Sequence, residues 1–304
     1  MKSARDCVRI VEVGPRDGLQ NEAATVPTAT KIALIERLAR CGYREVEATS
    51  FVSPKWIPQL ADAESVMAGL TRREGVRYPV LVPNALGLDR AVAAGAQDIA
   101  VFTAASSAFT QKNINCDVDE SLQRIAGVMQ AARDHGLGVR GYVSTVLGCP
   151  YQGAVPVADV VRVVRALLAL GCREISLGDT IGVGTPHKAR AMLEACASEV
   201  PMTQLAVHFH DTYGQALANV YACLDAGVRV VDASVAGLGG CPYAQGASGN
   251  LASEDLVYML DGLGLETGVD LDALCDTARW INSALGREPI SKLARIENAR
   301  RFKR

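Results

Sequence analysis

The chain has 304 residues, 49% of them hydrophobic and 21% charged, an ordinary globular balance that suits two domains or one large α/β domain. A formal net charge of −2 gives no bulk electrostatic case for nucleic acid. No uncharged apolar stretch approaches the roughly 18 residues of a membrane span.

The first residues, MKSARDCVRI, carry neither a charged-then-apolar signal nor an Arg/Ser-rich transit pattern, and they lead straight into the strand pattern VRIVEVGP. Helical periodicity follows over KIALIERLARCG, then a strand pattern REVEATSF and a helix near residues 62–70. The alternation continues with YPVLVPN and LDRAVAAG, DIAVFTA and a helix over 120–135, and VRGYVSTV and DVVRVVRALLALG. It ends with REISLGD and a helix over 187–199, LAVHFHD and QALANVYACLDAG, and RVVDASVAG. Gly42, Gly95, Gly136, Gly171 and Gly227 each close a helical pattern just before a strand, as left-handed C-caps do. The alternation predicts a parallel sheet with right-handed crossovers, and eight units fit a closed (β/α)8 TIM barrel. A doubly wound open sheet is disfavoured because the first strand ends in VGPRDG and not in G-x-G-x-x-G. After Gly264 the rhythm changes, and VDLDALCDTARWINSAL reads as one further helix outside the barrel. The chain is thus read as a single catalytic domain, 1–304, with a barrel over about 8–264 and a C-terminal helical extension over about 265–304. The terminal RFKR reads as a solvated helix end. Nine cysteines without a CxxC read as reduced thiols of a cytoplasmic protein, most of them small buried hydrophobes.

In such a barrel, chemistry gathers where strands end. His208 and His210, half of the four histidines, lie two apart at the end of strand seven and so point to one face. Arg16 and Asp17 lie just past strand one, Glu47 ends strand two, Asp179 ends strand six, and Cys241 and Asn250 follow strand eight. Alone, each could be a helix cap or a loop ion pair; together with the H-x-H they point to a metal site. Asp17, His208, His210 and Asn250 offer two oxygens and two nitrogens without a thiolate, which argues against structural zinc and suits Mg²⁺ or Mn²⁺, although ligand type alone also admits Zn²⁺ and Fe²⁺. The stretch AGLGGCPYAQGASGN, residues 236–250, has five glycines. It reads either as a phosphate cradle, though without the GK[ST] of a P-loop, or as a mobile lid that carries Cys241 into the site as an acid/base.

The blocks EVGPRDGLQNE, EATSFVSPKW, KNINC, RGYVS, GCPY, EISLGDTIGVGTP, AVHFHDTYGQALAN and SVAGLGGCPYAQGASGNLASEDLVYML resemble the 3-hydroxy-3-methylglutaryl-CoA lyase family. They run in family order over about 8–260. The RDG with a distal H-x-H is shared with a wider superfamily that includes the condensing 2-isopropylmalate and homocitrate synthases. The resemblance implies a (β/α)8 barrel and a divalent cofactor, Mg²⁺ or Mn²⁺, held by Asp17, His208, His210 and Asn250. It implies that Arg16 stabilises an enolate, Glu47 supports the substrate site and Cys241 is the lid thiol, with Asp17 and His208 also in the catalytic set. The implied reaction splits the acyl-CoA substrate into acetyl-CoA and acetoacetate, as in leucine degradation and ketone-body formation, in a homo-oligomer of two or more subunits without nucleic-acid or membrane partners. A lyase for a longer 3-hydroxy-3-alkylglutaryl-CoA and a condensing acyltransferase are the alternatives. Some animal enzymes of the family link subunits through a cysteine near the C-terminus; here the last cysteine is Cys275, so no such link is expected.

Overall fold

The computed structural model describes residues 7–240 and 249–301, with side chains through residue 296. Its strands are β1 (Arg9–Glu12), β2 (Thr49–Ser50), β3 (Val80–Leu81), β4 (Asp98–Ala104), β5 (Gly138–Ser144), β6 (Glu174–Asp179), β7 (Leu205–Phe209) and β8 (Val230–Ala233). All pair in parallel in the order β1-β8-β7-β6-β5-β4-β3-β2. Glu12 N–H donates to the Glu45 carbonyl at 3.1 Å and Glu47 N–H to the Glu12 carbonyl at 2.8 Å, which closes the ring into a (β/α)8 barrel.

Crossovers are made by α1 (Thr28–Arg40), α2 (Ala63–Gly69), α3 (Ala85–Ala93), α4 (Ser107–Ile114), α5 (Val118–Asp134), α6 (Val157–Ala169), α7 (Pro186–Ala197) and α8 (Ala216–Asp225). They are followed by α9 (Ser253–Gly262), α10 (Leu271–Leu285) and α11 (Lys292–Arg301). The five expected helix-end glycines all have positive φ, from +67° to +113°. At Gly42 the requirement is also steric, since a Cβ there would lie 2.1 Å from the Gly268 carbonyl oxygen.

Three details differ from the sequence reading. The second strand is not continuous over REVEATSF: residues 45–47 pair with β1, and only Thr49–Ser50 form a ladder with β3. Its neighbour Pro79 accepts from Ala48 N–H but has no N–H to return, which thins the ladder. Helix α4 is polar and buries only Phe109 and Thr110, so apolar periodicity could not show it; the Ser106 hydroxyl caps it by accepting from Phe109 N–H. The C-terminal part holds α11 as well as the one expected helix, α10, which packs outside the barrel on α1 and α9 through Leu274, Ala278 and Ile281.

Large aliphatic residues fill the space between sheet and helices, among them Ile10, Val80, Ile99, Ile175, Leu205 and Val231. The alternate strand positions face inward and hold less apolar volume, in two small clusters: Val11, Val13, Ala206 and Val230, and Leu81, Ala100 and Tyr142. The N-terminal end of this interior is ionic. Buried Glu45 accepts from Arg9 at 2.8 Å and pairs with Arg77 and, at 3.4 Å, with Arg173. Burial alone would raise the Glu45 pKa, but Arg140, Arg9, Arg77 and Arg173 hold it below the usual carboxylate range. A depressed carboxylate pKa contributes stability that is present above the unfolded-state value and is lost as pH falls through the folded one. Glu45→Gln should therefore destabilise the fold by about 2 kcal/mol at neutral pH, less than a fully buried broken pair because the arginines paired with it directly, Arg9, Arg77 and Arg173, are part-exposed. The gap to wild type in melting temperature should shrink below about pH 4. A gap that persists unchanged in acid would assign the loss to packing instead of charge.

Candidate active site

The loop after β1 coils tightly over Gly14–Gly18, with the amides of Arg16, Asp17 and Gly18 all donating to the Val13 carbonyl at 3.2, 2.8 and 3.3 Å. Gly18 has no room for a side chain: a Cβ would lie 2.7 Å from Leu238 Cβ. Buried Glu12 fastens this turn to the segments after β8, accepting from Gly14 N–H at 2.8 Å, Val235 N–H at 2.9 Å and Ser253 Oγ at 2.6 Å. Burial pushes its pKa up to about 7 against these donors. The turn thereby aims two charged side chains at the C-terminal mouth of the barrel.

Arg16 is 7% exposed. Its Nε and Nη2 both contact Glu47 Oε2 at 2.8 Å, and its Nη1 donates to Asp17 Oδ1 at 2.6 Å. The guanidinium also lies 5.6 Å from the centroid of the Tyr142 ring, and Tyr142 Oη donates to Glu47 Oε2 at 3.3 Å. Burial wins over these partners at Glu47, whose pKa is raised, and its Oε1 is buried without a hydrogen-bond partner.

Asp17, His208 and His210 each offer a ligand atom, and the three atoms lie within 4.8 Å of one another. The β7 ladder brings both imidazoles to the mouth, with ring centroids 5.4 Å apart. Asn250 arrives from the chain after β8. Asp211 N–H donates to the Gly249 carbonyl at 2.7 Å and Leu251 N–H to the Phe209 carbonyl at 3.3 Å, which lays residues 249–251 along the end of β7. The Asn250 amide nitrogen then donates to Asp17 Oδ2 at 2.8 Å and to the Leu238 carbonyl at 3.1 Å.

The local field separates the three groups. Burial works against the Asp17 carboxylate, but Arg16, the two histidines and Asn250 bring its pKa down to about 2. Burial and the neighbouring His208 bring His210 down to about 4, a neutral imidazole with a free lone pair at physiological pH. His208 is raised: burial opposes its charge, and Asp232 and Asp17 favour it more strongly. An anionic oxygen beside two imidazoles, with an amide at hand and no thiolate, is a donor set that fits a hard divalent cation.

Sequence reasoning placed Arg16, Asp17, Glu47, His208, His210 and Asn250 at strand ends, and the structure gathers all six at one mouth. Cys241 lies outside the described residues. Asp179 is not one of the grouped ligand residues: its carboxylate accepts from Val183 N–H at 3.2 Å and Gly184 N–H at 2.7 Å and so anchors the loop after β6. Asp211 Oδ1 accepts from Ala216 N–H at 3.0 Å, at the start of α8. Four buried residues were missed, Glu12, Arg140, Tyr142 and Asp232. Their only sequence signal is a polar or charged side chain inside an otherwise apolar strand.

Residues 7–281 match the HMGL-like family. Over 287 residues the chain is 61% identical to a protein of Bos taurus named mitochondrial hydroxymethylglutaryl-CoA lyase, covering 94% of this chain and 88% of that one. Among solved structures it is similar to hydroxymethylglutaryl-CoA lyase from Pseudomonas aeruginosa, with a TM-score of 0.95, 54% identity, and 97% and 98% of the two chains covered. An HMG-CoA lyase from Acinetobacter baumannii, solved in complex with coenzyme A and 3-methylmalate, gives a TM-score of 0.93 at 39% identity over 97% of this chain and 96% of that one.

Proposed function

The chain belongs to the HMGL-like family, and from that premise we propose that it is a carbon–carbon lyase that splits 3-hydroxy-3-methylglutaryl-CoA into acetyl-CoA and acetoacetate. The observation that carries the reading is a buried guanidinium, fixed by Glu47 and Asp17, directly beside the Asp17–His208–His210 donor cluster. Cleavage of the C2–C3 bond requires the tertiary C3 hydroxyl to lose its proton while C2 gains carbanion character. The departing fragment is the thioester enolate, which becomes acetyl-CoA once C2 is protonated; the other fragment keeps the former C3 oxygen as the ketone of acetoacetate.

Asp17, His208, His210 and Asn250 would hold a divalent cation, Mg²⁺ or Mn²⁺, which would supply Lewis-acid polarisation that eases loss of the hydroxyl proton. Arg16 is oriented before substrate arrives and answers charge that appears on the enolate oxygen only during reaction. Glu47 holds that guanidinium by two nitrogens and keeps it from collapsing onto Asp17 alone. Cys241, the lid thiol by the family resemblance, is our candidate for the acid that protonates C2.

Purified protein given 3-hydroxy-3-methylglutaryl-CoA and Mn²⁺, with no acyl acceptor, should release acetoacetate and acetyl-CoA in equal amounts. EDTA should abolish the reaction, and Mg²⁺ or Mn²⁺ in excess should restore it. Turnover only when a 2-oxo acid is supplied with acetyl-CoA would replace the lyase by a condensing enzyme. A panel of longer 3-hydroxy-3-alkylglutaryl thioesters, ranked by kcat/KM, tests the acyl group.

Cys241→Ser should fold and bind metal normally yet lose most activity, because a hydroxyl is a far weaker acid than a thiol. Acyl-CoA should protect Cys241 from alkylation. Full turnover in the Ser variant would remove Cys241 from the chemistry. Seven of the eight described cysteines are buried, in keeping with small core hydrophobes of a reducing compartment such as the cytoplasm. Among the described residues no helix is long and apolar enough to cross a membrane.

A further inference from the structure

Asp232, on β8, is 1% exposed and lies beside His208 in the parallel ladder of β7 and β8. Its Oδ1 accepts from Arg140 Nη2 at 2.6 Å. Its Oδ2 accepts from Arg140 Nη1 at 3.0 Å and from Ser176 Oγ at 2.7 Å, and faces His208 Nδ1 at 3.3 Å. A two-pronged guanidinium keeps a buried carboxylate ionised. An ionised carboxylate only accepts, so the contact is a hydrogen bond only if His208 carries a proton on Nδ1. In the neutral ring the lone pair is then on Nε2, the nitrogen left to join Asp17 and His210.

Arg140 is itself pinned on every side. Its Nε donates to Glu174 at 2.8 Å, and its Nη1 also donates to Tyr142 Oη at 2.9 Å. Tyr142 in turn reaches Glu47, the partner of Arg16. One buried arginine therefore supports both arms of the site, the imidazole side through Asp232 and the guanidinium side through Tyr142.

We infer that Asp232, clamped by Arg140 and Ser176, is a positioning residue that fixes His208 as the Nδ1–H tautomer and so presents Nε2 to a divalent cation. The inference rests on the cation-site reading above. Asp232→Asn is the informative change. It keeps the shape and removes the charge that makes this group an obligate acceptor. The neutral amide either accepts from Nδ1–H more weakly or turns its –NH₂ to Nδ1, which moves the ring proton to Nε2 and blocks the lone pair a cation needs; both weaken cation binding.

Two measurements test this on the intact protein: Mn²⁺ binding followed by the electron paramagnetic resonance signal of free Mn²⁺, and a long-range ¹H–¹⁵N spectrum of the histidine rings with Mg²⁺. Wild type should bind Mn²⁺ and show His208 protonated at Nδ1 and not at Nε2. Asp232→Asn should bind Mn²⁺ about 10- to 100-fold more weakly, the range seen when such outer partners are lost, with unchanged circular dichroism. If wild type binds no Mn²⁺, the cation-site reading falls and takes this inference with it. If wild type binds and Asp232→Asn binds within about twofold of it, the cation site stands and only the role of Asp232 is overturned. If the variant does not fold, the wild-type spectrum decides: His208 protonated at Nε2 overturns the inference, and protonation at Nδ1 supports it.

Discussion

Arg16→Met is expected to lower kcat by about 10²–10³ while leaving KM close to wild type, since removing one preorganised donor to an oxyanion has effects of that size. The expectation follows from where the guanidinium's bonds already go. Two of its nitrogens contact Glu47 and one contacts Asp17, and it is nearly buried, so it neither moves nor sheds much water as charge develops. A group fixed in this way stabilises what appears in the transition state more than it stabilises bound substrate. Methionine keeps an unbranched side chain of similar length, so the loss should be electrostatic. It also leaves Glu47 without its directly bonded cation, so the pKa that burial already raises should rise further. Near-normal kcat with a greatly raised KM would make Arg16 a substrate-binding residue. A lowered melting temperature beyond that of Glu45→Gln would point to loss of the buried ion cluster instead of the chemistry.

The barrel is legible because each of its units carries its own punctuation: an apolar β-branched run, an amphipathic helix, and often a glycine with positive φ between them. The candidate site is legible for a related reason. In a parallel barrel every strand ends at the same face, so Asp17, Glu47, His208 and Asn250 can be brought together without knowing any distance. What does not follow from that rule is register. His208 and Asp232 are neighbours because β7 and β8 pair Val207 with Val231 and His208 with Asp232, and a shift by one residue would point Asp232 outward. Nor does position along a strand say that Arg140 lies close enough to bridge Glu174 and Asp232 across the barrel interior. The second strand misled for a local reason, the missing N–H of Pro79, and α4 escaped because it buries so little that its pattern is that of a loop.

His208→Ala should nearly abolish divalent-cation binding, weakening Mn²⁺ affinity by more than about 100-fold, because losing a ligand outright exceeds the 10- to 100-fold cost of losing a partner behind it. Activity should fall to background with it, since Asp17, His210 and Asn250 alone hold a cation too weakly to polarise substrate oxygen. The fold should survive. The His208 side chain is 12% exposed at the barrel mouth, and its removal leaves Asp232 still bound to Arg140 and Ser176, so no buried charge is orphaned. This separates the variant from Arg140→Met, which would leave Asp232 in the barrel interior without its guanidinium, while Glu174 keeps Arg9, and cost about 3–5 kcal/mol of stability. The measurements are metal content after dialysis, Mn²⁺ titration and the melting curve. Full metal stoichiometry and unchanged turnover in His208→Ala would move the cation site away from the H-x-H. Lost turnover with metal retained would instead make His208 an acid/base group beside the cation, because a ring that ligates through Nε2 and donates through Nδ1 to Asp232 has no nitrogen free for proton transfer.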